Sequence, residues 1–367
     1  MKMIHCADLH LDSKMESNLS TEKARERREE LLQTFERMVE AAEAGRVRAI
    51  LIAGDLFDKP HNRKAARRRV LDQITSHPDI DFLYLKGNHD DTDFLVDVRP
   101  EDIPSNLKSF RQDQWTTYFY EEDDITITVT GREITAENSR NMATGLVLDQ
   151  ANVNIVMLHG QESLYDGNDK AEVINRTEYR GKNIDYLALG HIHSFRKDRL
   201  DDRGSYCYAG CLEGRGFDEC GPKGYVLLDI EDRQVKANFV PFAYRTLHEV
   251  EVELDEDMDM PAVLKMVEDA VLGIPSQDLV KITLSGRTDM NLDLDLRRIE
   301  RIFGERFYFV KAVDQTSLKI DYESFRNDHS LKGEFVRLLE GEDLDEKMRA
   351  SIIETGMRAI LGEDIDE

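Results

Sequence analysis

The sequence predicts an α/β fold: two β-sheets packed face to face with helices outside, then a small α+β cap domain and a C-terminal helical tail. Three observations carry that expectation. The first half of the chain alternates apolar strand-like runs with helix-like segments. Further on, residues 206–209, 225–230 and 234–240 read as strands with no long helix between them. Around residues 242–246 the pattern resets into a shorter alternation of strand and helix. Parallel units that give way to antiparallel ones suit two stacked sheets.

The elements follow in order. Residues 1–6 read as a strand that enters a polar turn, which is not how a signal peptide is built. Thr21–Ala44 is a long amphipathic helix with Leu31, Leu32, Phe35, Met38, Val39 and Ala42 on its apolar face. Residues 48–53 (RAILIA) form a buried strand, 64–75 a helix and 81–85 a third strand. Residues 116–120 and 125–130 alternate as an antiparallel pair, and 153–158 and 184–189 are two more apolar strands. These elements make a first domain of residues 1–245. Residues 246–318 make the cap: strands at 247–254, 279–285 and 307–313, with helices at 260–272, opened by Pro261, and at 292–303. The tail, 319–367, carries amphipathic helices at 325–339 and 344–361, broken near Gly341.

Composition narrows the function. Hydrophobic residues at 40% and charged residues at 34% describe a soluble globular chain, and no membrane span or membrane partner is expected. The net charge of −25 argues against a protein that coats nucleic acid by itself, since phosphate neutralisation needs basic excess. It leaves room for an enzyme whose metals and one local basic patch meet the substrate. Cys6, Cys207, Cys211 and Cys220 include no Cys-x-x-Cys pair, so free buried thiols in a reducing, cytoplasmic setting are expected.

Five apolar strands end in similar residues: Asp8-Leu9-His10, Gly54-Asp55-Leu56-Phe57-Asp58, Gly87-Asn88-His89-Asp90, His159-Gly160 and Gly190-His191-Ile192-His193. Ligands of open α/β sheets gather outside the carboxyl ends of strands. Taken singly, each is also an ordinary turn or helix cap. Together they offer oxygen and imidazole nitrogen without thiolate, which suits Mn²⁺, Fe²⁺ or Zn²⁺. Asp8, His10, Asp55, Asn88, His159, His191 and His193 are too many for one ion, whereas two ions sharing a carboxylate use them all. Paired ions clamp the attacking and leaving oxygens of a displacement at phosphorus. The glycines before Asp55, Asn88 and His191 are expected to let the chain turn sharply.

This series resembles the calcineurin-like metallophosphoesterase superfamily, whose fold is an α/β/β/α sandwich. Residues 4–12 (IHCADLHLD), 186–193 (YLALGHIH) and Tyr208-Ala209-Gly210 resemble, within it, the SbcD-like DNA repair exonucleases. The likeness spans residues 1–245 and, more loosely, the cap. It implies one ion on Asp8, His10, Asp55 and His193 and another on Asp55, Asn88, His159 and His191. It implies that His89 faces the leaving oxygen and that Asp90 orients His89. Asp58 joins His89 and Asp90 as a catalytic candidate. It departs from relatives that carry His there to aid exonuclease action, and Ala209 replaces a common proline.

The run from Arg63 to Arg69 places Lys64, Arg67 and Arg68 on one helix side, with Ala66, Val70 and Ile74 inward. These three are candidates for DNA phosphates; the alternative is a solvated face paired with nearby acids. SbcD-like proteins carry C-terminal helices that grip an SMC-type ATPase. Leu331, Phe335 and Leu338, and likewise Ile353, Met357 and Ile360, have the spacing of helix-in-groove anchors. The tail could equally pack on its own chain. The expectation is therefore a two-metal, Mn²⁺-dependent DNA exonuclease or endonuclease subunit, homodimeric and partnered by an SbcC-like ATPase. The alternatives are a phosphodiesterase or phosphatase for small nucleotides or phosphoproteins, and a structural partner with a vestigial site.

Overall fold

A computed structural model describes the chain except residues 16–18, 59–63, 91–94, 96–97, 136, 163–172, 257, 289–291, 293, 319–327 and 362–367. Contacts divide it into two units, Met1–Leu247 and His248–Glu367.

The first unit holds two six-stranded sheets. The first runs, in spatial order, Gln234–Pro241, Gly224–Glu231, Lys2–Cys6, Ala49–Ala53, Asp81–Leu85 and Leu107–Ser109. Its last four strands are parallel and the first two antiparallel. The second runs Arg196–Arg199, Ser205–Tyr208, Tyr186–Gly190, Val153–His159, Ile125–Gly131 and Thr116–Glu122, with four parallel strands inside and an antiparallel one at each edge.

Strand alternation sets the layers. Met3, Leu51, Leu83 and Leu85 join Val129, Ile155, Met157, Tyr186 and Ala188 in a core between the sheets. The alternate residues Ile4, Ile50, Ile52 and Phe82 point the other way, onto helices α1 (Thr21–Ala44) and α2 (Lys64–Ser76). Both faces of the central strands are thus dry, which is why RAILIA is continuously apolar instead of alternating. Ser20 caps α1 by accepting the Lys23 N–H. The predicted apolar face of α1 is buried, as are Ala66, Val70 and Ile74 of α2. On the far side of the second sheet, Val156, Leu158, Leu187 and Leu189 meet Met142, Leu146 and Tyr179. Among the described residues that fourth layer is built from the 3-10 turns Ser139–Gly145 and Arg176–Tyr179 rather than long helices. No run there has a sustained helical period.

The second unit has strands Leu247–Leu254, Leu279–Thr288 and Phe309–Asp314, with Ser317–Leu318 beside the second of these, and helices α3 (Met260–Ala270) and α4 (Leu296–Gly304). The strand at Leu247 straddles the division between the units. Helix α4 starts four residues later than the apolar period suggests because Asp295 caps it, accepting the Arg298 N–H at 2.8 Å. The tail forms α5 (Leu331–Glu340), capped by Ser330, and α6 (Glu346–Leu361). The expected helical residues 325–327 lie outside the described ones. Val336, Ile353 and Met357 form a small core of their own between α5 and α6. No helix among the described residues is long and apolar enough to cross a membrane. Cys6, Cys207 and Cys211 are buried free thiols and Cys220 is partly buried.

Candidate metal centre

The backbone bends sharply where the strands deliver their polar ends. Asp8, His10, Asp55 and His191 all have positive φ although none is glycine. Such strain persists where the surrounding structure fixes it, and it clusters at functional sites. Of the three glycines expected to turn the chain, only Gly54 has positive φ, at 92°. Gly87 serves close approach instead, since a Cβ there would lie 2.2 Å from Asp55 Oδ1.

All seven expected ligands come together. Asp8 is fully buried and accepts the His191 N–H on both carboxylate oxygens, at 2.9 and 3.1 Å. Asp55 Oδ1 accepts the His89 N–H at 2.8 Å, while Oδ2 lies 3.4 Å from His159 Nε2 and 3.7 Å from His10 Nε2. Asn88 Oδ1 is 3.0 Å from His159 Nε2 and 3.3 Å from His191 Nδ1. His10 and His193 face each other with Nε2 atoms 3.3 Å apart. His159 Nδ1 donates to the Ala53 carbonyl at 2.9 Å, which turns Nε2 into the site.

The electrostatics suit cations. Burial lowers His10 to about 4, so its ring is neutral. Burial pushes Asp8 up to about 6 despite the pull of His159 and His193. Burial also disfavours charge on His159, but Asp55 and Asp8 outweigh it and raise that imidazole to about 10. For Asp55 burial is outweighed in turn by His159 and His10, and its carboxyl is held below the usual range. Positive charge is therefore stabilised between these carboxylates.

Among the described residues, three groups have ligand atoms all within 4.8 Å of one another and could hold a cation: Asp8 with His10 and His193; Asp8 with Asp55 and His159; and His10 with Asp58 and His89. Converging imidazole nitrogens and an oxygen-rich wall free of thiolate fit divalent metals. Such ions, when bound, polarise a phosphoryl oxygen and lower the pKa of water.

The partner of His89 differs from expectation. Asp90 does not orient His89. Its buried carboxylate accepts the N–H groups of Leu56, Phe57 and Gly87 at 3.2, 3.1 and 3.0 Å, tying two ligand loops together. The partner of His89 is Asp58, whose Oδ1 lies 3.0 Å from His89 Nδ1 and whose Oδ2 accepts from Ser13 Oγ. That hydrogen bond raises the His89 pKa, and His10 and His89 overcome burial to hold Asp58 well below the carboxylate range. Two further residues escape the sequence reading. Glu219 Oε1 lies 2.6 Å from His193 Nδ1, and Arg215 bonds Glu219 through Nε and Nη2. Arg215 lies on a loop after Gly210 and Glu219 ends the short 3-10 turn Phe217–Glu219, with no strand end to flag either; the only hint is their four-residue spacing. Lys64, Arg67 and Arg68 sit together on α2, with Arg68 paired to Asp72. Their neighbour Arg69 is committed to Glu29 and Glu36 of α1.

The model of the calcineurin-like phosphoesterase family matches residues 1–195. The chain belongs to that family. It is a metal-dependent phosphoesterase. Among relatives of this calcineurin-like phosphoesterase, YhaO of Bacillus subtilis, an uncharacterized metallophosphoesterase, is 28% identical over 276 residues, 73% of this chain and 67% of that protein. The DNA double-strand break repair protein Mre11 of Sulfolobus acidocaldarius is 22% identical over 347 residues, 89% of this chain and 88% of that protein. That alignment is too long for the first unit alone and so includes the second. The SbcD protein of the SbcCD nuclease of Staphylococcus saprophyticus is 23% identical over 284 residues, 69% of this chain and 71% of that protein.

Proposed function

We propose that this phosphoesterase is the Mn²⁺-dependent nuclease subunit of a DNA repair complex of the SbcCD kind, acting in the cytoplasm. The observation that carries the reading is the similarity to the Mre11 of Sulfolobus acidocaldarius over 89% of this chain, a span that reaches into the second unit. In it Asp8, His10, Asp55 and His193 hold one ion, and Asp55, Asn88, His159 and His191 the other. His89, with Asp58 behind it, serves the leaving oxygen. Mn²⁺ is the first choice for this nitrogen and oxygen set, with Fe²⁺ and Zn²⁺ as competitors.

DNA phosphates are assigned to Lys64, Arg67 and Arg68, which line a groove of about 650 Å³ together with Arg99. A homodimer and an SMC-type ATPase partner belong to the same reading. The tail would meet that ATPase through Leu331, Leu338, Met348 and Ile352, which are exposed. Of the anchors expected from spacing, only Leu331 and Leu338 are among these; Ile353 and Met357 are buried in the hairpin, Ile360 is partly buried against them, and Phe335 packs on Gly356. A second reading, hydrolysis of small nucleotides or phosphoproteins, is favoured by one observation, the loss of Arg69 to an ion pair in an already acidic chain.

One comparison tests both. Protein with Mn²⁺ is offered single-stranded DNA, duplex ends and bis-p-nitrophenyl phosphate, alongside a variant with Lys64, Arg67 and Arg68 changed to Glu. The nuclease reading expects cleavage of DNA, weaker and less salt-dependent DNA binding in the variant, and unchanged hydrolysis of the small diester. Cleavage of the diester alone, or equal loss on all substrates, contradicts it.

A further inference from the structure

An aromatic pair joins the two sheets of the first unit at their edges. Arg196–Arg199 is the outer strand of the second sheet, and Gln234–Pro241 is the outer strand of the first. Phe195, just before the one, stacks on Phe239 of the other, with ring centroids 4.6 Å and planes 29° apart. Lys197 Nζ crosses the same seam and donates to the Ala237 carbonyl at 2.9 Å.

Register places the pair at the metal end of both sheets. Arg196 pairs with Tyr208, and Tyr208 with Leu189, one residue before the end of the strand that delivers His191 and His193. Phe239 pairs with Val226, and Val226 with His5, one residue before the end of the strand that delivers Asp8 and His10. Each edge strand therefore lies two strand spacings, about 10 Å, sideways from a strand that feeds the centre.

A single exposed phenylalanine is ordinary. This one is held: packing on Phe239 takes up one ring face and fixes the orientation of the ring, yet Phe195 remains 39% exposed. It sits two residues past the expected ligand His193, and Arg196 and Lys197 follow it in a chain of net charge −25. Arg196 approaches Glu162 only to 3.9 Å, with its own side chain 44% exposed. A fixed aromatic face beside cations suits a nucleotide strand, since every base has a π-face that stacks and the neighbouring phosphates meet the positive charge.

We propose that Phe195, backed by Phe239, is a stacking platform for an unpaired nucleobase of the substrate strand, close to the phosphate that is cleaved. The inference rests on the nuclease reading above and narrows it. The strand must be single or splayed at this point, because a base within a duplex keeps both faces stacked on its neighbours.

The test gives full-length protein with Mn²⁺ a single-stranded oligonucleotide, or the same backbone built from abasic residues, and measures KM and kcat. Wild type should prefer the base-bearing strand through KM. Phe195→Ala should raise KM on that strand roughly 5–150-fold, the effect of removing one stacking ring. Phe195→Leu, which keeps apolar bulk without a ring, should behave like Phe195→Ala, and Phe195→Trp should hold KM near the wild-type value. Loss of the ring and loss of the bases should not add, since both delete the same contact. Losses that add, an unchanged KM in Phe195→Ala or Phe195→Leu, or a wild-type KM blind to the bases overturns the proposal. A change of oligomeric state in Phe195→Ala with the base dependence kept also overturns it, and makes the pair a contact between copies. Wild-type protein that hydrolyses bis-p-nitrophenyl phosphate but neither strand overturns the nuclease reading, and the platform with it.

Discussion

Asp55→Asn should eliminate turnover and cost more metal affinity than any other single substitution in the centre. Asp55 lies at the middle of the cluster: one oxygen holds the His89 N–H and the other faces His159 and His10. An amide of the same shape removes a negative charge that faces His159 and His10, one from each half of the site, and it presents two hydrogens where cations belong. The loss should exceed the roughly 100-fold upper range for outer partners. Calorimetry with Mn²⁺ measures it. Affinity within about tenfold of wild type would mean that the carboxylate is not shared.

His89→Asn should do the opposite, keeping both ions and losing turnover by about 10²–10⁴, the range of general acid–base contributions. Its backbone belongs to the centre through Asp55, but its side chain is half exposed and paired with Asp58. Because Asp58 is its partner, Asp58→Asn should lower turnover in the same direction. Asp90→Asn should instead act on stability and metal retention, since Asp90 stitches the Leu56–Phe57 turn to Gly87. Turnover and metal content of the three variants, measured together, separate these roles. Metal loss in His89→Asn with Asp58→Asn unaffected would contradict the pairing.

Much of this was legible in the chain. Strands buried on both faces are continuous apolar runs, and the parallel connections carry long helices, so Lys2–Cys6, Ala49–Ala53, Asp81–Leu85 and α1 could be read directly. The expected ligands stood out because each lies at or just past the end of such a strand. What hid was whatever lacked an apolar period. Arg196–Arg199 is an exposed edge strand of four charged residues, and Leu107–Ser109 is three residues long. Hydrophobic periodicity also does not report polar side chains on an inner helix face. Arg27 and Glu30 of α1 are buried in a network with Glu213 and Arg245 that only the tertiary structure assembles.

The same limit explains the site. The family resemblance suggested Asp90 as the partner of His89, yet the backbone turns its carboxylate onto three N–H groups and brings Asp58 across from another loop. Glu219 lies 26 residues from His193 at the end of a three-residue 3-10 turn, so no local pattern links them. Long-range pairing of polar groups is decided by packing, which the order of residues does not display.

Crystals grown with Mn²⁺ and measured at the manganese absorption edge test the central claim most directly. The account predicts two anomalous peaks flanking the Asp55 carboxylate, about 3.5–4 Å apart. One should lie toward Asp8, His10 and His193, the other toward Asn88, His159 and His191. A single peak, or peaks that leave Asp55 outside both, would contradict it.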